Sequence, residues 1–176
     1  MIKGNKGEWS ELYVLLRLLA YGKIYAADDQ VKKIENVYFP ILKIIREEVK
    51  GKRLEYKIGE NEDVDIYSND VKIKSISKER LKKEADYLYN EIVNMKSRSF
   101  EIEQTEKFAN EIECYRLSAP STDKTDIKIQ IHDIHTGFEP VCGFSIKSEL
   151  GSAPTLLNAS GATNFVFEVD GISDEQ

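Results

Sequence analysis

An α+β fold is predicted for this 176-residue chain by three observations. An almost wholly apolar helix opens it, three short strand-like runs with turn residues between them follow, and a period-two hairpin occupies residues 125–147. With 41% hydrophobic content the chain can bury the core of one domain, or of one domain with a sizeable insertion. There is no signal peptide and no apolar run near the ~20 residues a membrane span needs. Cys114 and Cys142 lie in apolar contexts without a second Cys or His at metal spacing, and are expected to be reduced core thiols of a cytoplasmic protein.

The first helix begins at Asn5, with Glu8 three residues on in the manner of a capping box, and runs to about Ala20, where Gly22 can close it. Trp9, Leu12, Tyr13, Leu16 and Leu19 share one face; Val14, Leu15 and Leu18 make the opposite face apolar too, so burial on most sides is expected. A second amphipathic helix is expected over residues 31–49, restarted at Pro40, with Ile41, Leu42, Ile44, Ile45 and Val49 inward and Gly51 ending it. Residues 54–58, 64–67 and 71–76 form a small antiparallel meander. Ser77 caps a helix to about Met95, and a further helix over residues 101–114 presents Ile102, Phe108, Ala109 and Ile112 on one face. Pro120-Ser121-Thr122 is the expected linker. It divides a mostly helical part with a small sheet, residues 1–119, from a β-rich part, residues 120–176.

The hairpin carries the chemistry. Ile127, Ile129 and Ile131 alternate with Lys128, Gln130 and His132, and after the turn at His135-Thr136-Gly137 a second apolar strand runs from Val141 to Lys147. A strand-opening carboxylate, Asp126, and a lysine near the end of the neighbouring strand, Lys147, can converge on one divalent cation and one phosphate. The pattern resembles the catalytic hairpin of the PD-(D/E)xK nucleases, with Ser145 where the second acid stands. The alternative for Asp126 is a strand-cap or turn residue.

Longer runs around the hairpin are similar to the HpaII family of type II restriction endonucleases. They are Gly4-Asn5-Lys6-Gly7-Glu8-Trp9-Ser10-Glu11-Leu12-Tyr13, the Lys124-Thr125-Asp126-Ile127 corner, and Gly143-Phe144-Ser145-Ile146-Lys147-Ser148 through Leu156-Leu157-Asn158-Ala159-Ser160 to Thr163-Asn164-Phe165. The resemblance touches both ends of the chain, while residues 50–115 carry no alignable motif. It implies a restriction-endonuclease-like core in residues 120–176, with residues 1–22 packed on it. It further implies Mg²⁺ as cofactor and double-stranded DNA as partner, with cleavage at a short palindrome, CCGG in the namesake, and admits a homodimer. Family members continue well beyond the strand at residues 165–169, so a chain shortened at its C-terminus is expected. Two functions follow: an active nuclease, or a remnant that binds DNA or a partner subunit without cutting.

With Ser145 in the acid position the hairpin supplies one carboxylate, and a metal site for phosphodiester cleavage wants a second. Glu11, in the second turn of the opening helix, is what the resemblance implies. Glu149 is its rival, because Ser145, Lys147 and Glu149 share one side of an extended strand. Glu8 serves the helix cap. Ser148, Asn158, Ser160, Thr163 and Asn164 are candidate DNA contacts, small hydroxyl and amide groups that can meet phosphates or base edges without bulk charge.

Three other features compete. Glu55-Tyr56-Lys57 matches acid-x-lysine by letter but lacks an upstream strand opening with Asp, and is expected to be a cross-strand ion pair on an exposed sheet face. His132-Asp133-Ile134-His135 lacks further ligands at zinc spacing and reads as a polar turn. The net charge of −6 opposes DNA binding through bulk electrostatics, so a local field must supply it. Lys43, Arg46, Lys50, Lys52, Arg53 and Lys57, then Lys72, Lys74, Lys78, Arg80, Lys82 and Lys83, are the candidates, against a solvated face neutralised by the interleaved glutamates.

Overall fold

The computed structural model describes residues 2–49, 51–59, 63–119 and 125–150. Helix α1 spans Lys6–Tyr21. The capping box is complete: the Glu8 amide donates to Asn5 Oδ1 (3.0 Å) and the Asn5 amide donates to Glu8 Oε2 (2.8 Å). Gly22 closes the helix in the left-handed region, φ 66°, which suits a residue without Cβ. Trp9, Leu12, Leu15, Leu16 and Leu19 are fully buried, and α1 packs chiefly on α2 (Lys78–Asn94), which buries Leu81, Ala85, Leu88 and Ile92. Helix α3 covers Glu103–Glu111 and is shorter than expected, because Glu113 turns the chain at φ 62°; its apolar face, Ile102, Phe108, Ala109 and Ile112, is buried as its spacing predicts.

Among the described residues seven strands form one sheet, in the order β5-β4-β3-β2-β6-β7, with β1 also paired to β2. They are β1 (Lys23–Ala27), β2 (Lys33–Val49), β3 (Lys52–Ile58), β4 (Asp63–Ser68), β5 (Val71–Ser77), β6 (Ile127–Ile131) and β7 (Val141–Phe144). Every pairing is antiparallel. The fold is α+β, and the meander and the hairpin appear where the sequence predicts them.

The helix expected over residues 31–49 is instead the 17-residue strand β2. Its first half pairs with β1, and its second half lies between β3 and β6. Val37, Tyr38, Phe39, Ile41, Ile44 and Ile45 are β-branched or aromatic and favour extended backbone. Pro40, which would break a helix, contributes its carbonyl to the His132 amide at 2.8 Å. The misleading signal has a physical origin. A bulge against β6 between Ile41 and Lys43 shifts the side-chain parity, so that Ile41 and Ile44 both reach the core, three residues apart as on a helix. Gly51, at φ 80°, turns the chain from β2 into β3 and caps no helix.

The expected linker at residues 120–122 lies outside the described residues. On either side of it the strands belong to the same sheet, since β6 pairs with β2 from Ile41↔Ile131 to Ile45↔Lys128. The segment before it therefore holds five strands beside its three helices. No helix of the described residues is long and apolar enough to cross a membrane.

Candidate active site

Asp126 sits one residue ahead of β6, half-buried, and its amide donates to the Phe144 carbonyl at 3.0 Å. Its Oδ2 accepts the amide of Ile146 at 2.6 Å. The carboxylate thereby takes a donor that a continuing β7 would have given to the ladder, and the strand ends at Phe144, short of the expected Lys147. Ser145 and Lys147 flank Ile146 in chain order, so Asp126 is anchored at the centre of the Ser-Ile-Lys triplet. Both are exposed, and Lys147 forms no ion pair among the described residues. Glu149 is exposed in a bend further on.

Glu11 is half-buried, and its carboxyl is pushed above the usual range, first by burial and then by the negative charge of Asp126. The Ser118 hydroxyl, the Ala119 amide and the more distant Arg46 oppose that rise. Glu11 and Asp126, from opposite ends of the chain, thus share one electrostatic environment. Ala119 also lines the cleft of about 400 Å³ into which Asp126 opens, together with Arg46, Arg53, Thr125 and Lys128. Among the described residues no group of three or more His, Cys, Asp or Glu converges. The donor set is a pair of carboxylates, hard oxygen ligands whose mutual repulsion a divalent cation would relieve, and it fits Mg²⁺ chemically.

Four residues without a motif signal of their own hold this arrangement. Ser10 Oγ lies 2.9 Å from Ser148 Oγ, and the Leu150 amide donates to the same Ser148 oxygen at 3.2 Å, which ties the segment after β7 to α1 beside Glu11. A Cβ on Gly143 would come within 2.5 Å of Thr125 Cγ2, so only glycine lets β7 pass this close to the residue before Asp126. A glycine inside an apolar strand run was the available clue. Arg46 is nearly buried; its Nε donates to Glu48 Oε1 (2.5 Å) and its Nη2 to the Arg116 carbonyl (2.9 Å). Burial works against its charge, but the Glu48 carboxylate, through its charge and its hydrogen bond, outweighs that. Glu48, fully buried, also accepts the Tyr115 and Arg116 amides (2.9 and 3.0 Å), and so fixes the approach to Ser118 and Ala119.

The two basic stretches are largely neutralised. Lys43, Arg53 and Lys57 converge on Glu55 (2.8, 2.5 and 3.4 Å), and Lys52 pairs with Glu113 (3.1 Å). Lys72 pairs with Asp65, Lys74 and Arg80 with Glu111, and Lys83 with Glu79. Glu55-Tyr56-Lys57 is therefore an ion-pair hub, though Glu55 is buried where an exposed face was expected. Burial disfavours the Glu55 carboxylate, yet the Lys43 hydrogen bond and the neighbouring cations bring its pKa below the usual value. Asp133 caps its own turn, accepting the His135 and Thr136 amides and the Thr136 hydroxyl. Both cysteines are free, and burial pushes the Cys114 thiol up to about 11. Asn158, Ser160, Thr163 and Asn164 lie outside the described residues; Ser148 lies within them, its hydroxyl engaged by α1.

The α+β sheet carries one acid, Asp126, at the head of its terminal hairpin and a second, Glu11, within reach of its charge, and the chain belongs to the HpaII restriction endonuclease family, whose profile matches residues 5–176. It is 42% identical over 176 residues to the type II restriction enzyme HpaII of Haemophilus parainfluenzae, an alignment that covers 98% of this chain and 48% of that protein. The chain thus spans about half the length of that relative. No solved structure matches it.

Proposed function

We propose that this chain carries the catalytic hairpin of a type II restriction endonuclease that hydrolyses double-stranded DNA at CCGG with Mg²⁺. The observation that carries the proposal is the anchoring of Asp126 at the head of β6 by the Ile146 amide (2.6 Å), with the half-buried Glu11 carboxyl raised by burial and by the Asp126 charge in support. Asp126 and Glu11 would hold the cation, whose chemistry when bound would be to withdraw charge from the scissile phosphate. Glu149 is the fallback second acid. Lys147 orients the attacking water, and Ser145, in the acid position of the triplet, faces solvent beside it. Water attacks phosphorus in line; the new P–O bond leaves a 5′-phosphate, and the departing 3′-oxygen takes up a proton. Ser148 keeps this segment on α1, and Asn158, Ser160, Thr163 and Asn164 contact DNA. The enzyme works in the cytoplasm, where its DNA is, and a palindromic target suits a homodimer.

The test is cleavage of a plasmid bearing CCGG sites by the purified chain, in Mg²⁺ and in EDTA. Discrete fragments with 5′-phosphates, lost in EDTA and in Asp126→Asn, are expected. A second reading has an observation in its favour: β7 ends at Phe144, and among the described residues no hydrogen bond or ion pair joins Lys147 to Asp126. Duplex binding without any cutting would favour that reading, a DNA-binding remnant.

A further inference from the structure

The charge that a chain of net −6 needs for DNA lies outside both conspicuous basic stretches. A groove of about 600 Å³ runs between the start of α1 and the loop after α2, lined by Asn5, Lys6, Gly7, Lys96, Ser97, Arg98 and Ser148. Its cations are Lys6, Lys96 and Arg98, and among the described residues no carboxylate lines it. Lys96 and Arg98 are exposed and, unlike most of the meander cations, have no partner among the described residues. Lys6 makes one long bond to the Val93 carbonyl (3.4 Å). Glu8, the carboxylate of α1 nearest the groove, is folded back onto the Asn5 amide.

The walls are fixed. Met95 ends α2 with its amide on the Glu91 carbonyl (3.0 Å), and Phe100 is bridged to Gly4 by two backbone hydrogen bonds of 2.9 and 3.0 Å. The Trp9 indole stacks on Phe100 and donates to its carbonyl at 3.2 Å. The loop from Lys96 to Ser99 thus leaves α2 at Met95 and is tied at Phe100 to Gly4 and to Trp9 of α1. The floor is Ser148, the residue after Lys147, bonded to the neighbour of Glu11. A basic groove with no carboxylate among its described lining residues, adjoining the candidate site, suits a chain of phosphodiesters.

We propose that this groove binds the duplex backbone beside the cleaved phosphate, with Lys96 and Arg98 as its phosphate contacts. The proposal deepens the nuclease reading and rests on it. The experiment is fluorescence anisotropy of a labelled random-sequence duplex with the whole chain in EDTA, titrated with salt. Three proteins are compared: wild type, Lys96→Ala/Arg98→Ala, and the charge-matched control Lys72→Ala/Lys83→Ala. The groove variant should bind more weakly, and its slope of log Kd against log salt should be less steep by about 2, roughly one per lost phosphate contact. Lys96→Arg/Arg98→Lys should restore the slope, and the control should match wild type. Wild-type binding with no change in the groove variant, or an equal loss in the control, overturns the groove alone. No duplex binding by the wild type overturns the groove and the nuclease reading together.

Discussion

The meander and the site treat charge in opposite ways. In β3, β4 and β5, Lys52, Arg53, Lys57, Lys72 and Lys74 each meet a carboxylate at 3.5 Å or less, and Glu55 alone gathers three cations. Around α1, β6 and β7, the charge of Asp126 adds to burial in raising the Glu11 carboxyl, while Lys96, Arg98 and Lys147 stand without carboxylates among the described residues. The first region is electrostatically finished when it folds. The second is left with charge that the described residues do not balance, and on the proposed function a cation at the acids and phosphates on the bases would complete it. Unspent charge in a framed setting marks function better than abundant charge does.

The largest effect should come from breaking the site's side of this contrast. Asp126→Asn keeps an oxygen to accept the Ile146 amide but removes the charge, and should lower Mg²⁺-dependent cleavage by about three orders of magnitude or more, with duplex binding retained in EDTA. Cleavage within tenfold of wild type would remove Asp126 from the chemistry.

Glu48→Ala strikes the satisfied side. It strands a nearly buried Arg46 and two backbone amides, and should cost about 3–5 kcal/mol in urea unfolding, as removal of one partner of a buried pair does. A loss under about 1 kcal/mol would show that water replaces the carboxylate. Gly143→Ala should cost about 1–3 kcal/mol through its clash with Thr125, and Thr125→Ser in the same chain should recover part of it. No recovery would place the clash elsewhere.

The smallest effect concerns pH. Glu11 has its folded pKa raised, so between the unfolded value of 4.5 and that higher value the folded chain binds more protons than the unfolded one. Stability contributed through Glu11 therefore falls as pH rises through this window. Glu11→Gln should flatten the melting temperature across it. Mg²⁺ at neutral pH should raise the melting temperature of the wild type more than that of Glu11→Gln. Identical profiles for the two proteins would uncouple Glu11 from Asp126.

Local chemistry was legible in the sequence wherever it decided structure. The Asn5–Glu8 box, the Gly22 stop and the turns around residues 69–70 act within a few residues, and α1 and the meander follow from them. β2 was misread because a bulge, which depends on its partner strand, gave it helical spacing at Ile41 and Ile44. Between the two readings of the basic stretches, DNA-binding patch or neutralised face, the sequence could not decide for a similar reason. Lys52 finds Glu113, and Lys74 and Arg80 find Glu111, partners that only the tertiary fold supplies. Asp126 stood out as a strand-opening acid. The Ile146 amide on it, Ser10 behind Ser148, and the Lys96–Arg98 loop were not visible, since each joins elements far apart in the chain.

Strand β2 has a consequence for the order of assembly. β3, β4 and β5 can zip onto it through short turns, but β6 must return across some eighty residues of chain to pair Ile129 with Ile44, a closure that loses far more chain entropy before any contact rewards it. The hairpin and its grip on α1 should then form last in folding and open first in native-state hydrogen exchange, ahead of the meander. Asp126 and Glu11 meet only in the completed molecule. A half-folded chain emerging from the ribosome would therefore have most of its sheet and no assembled candidate site.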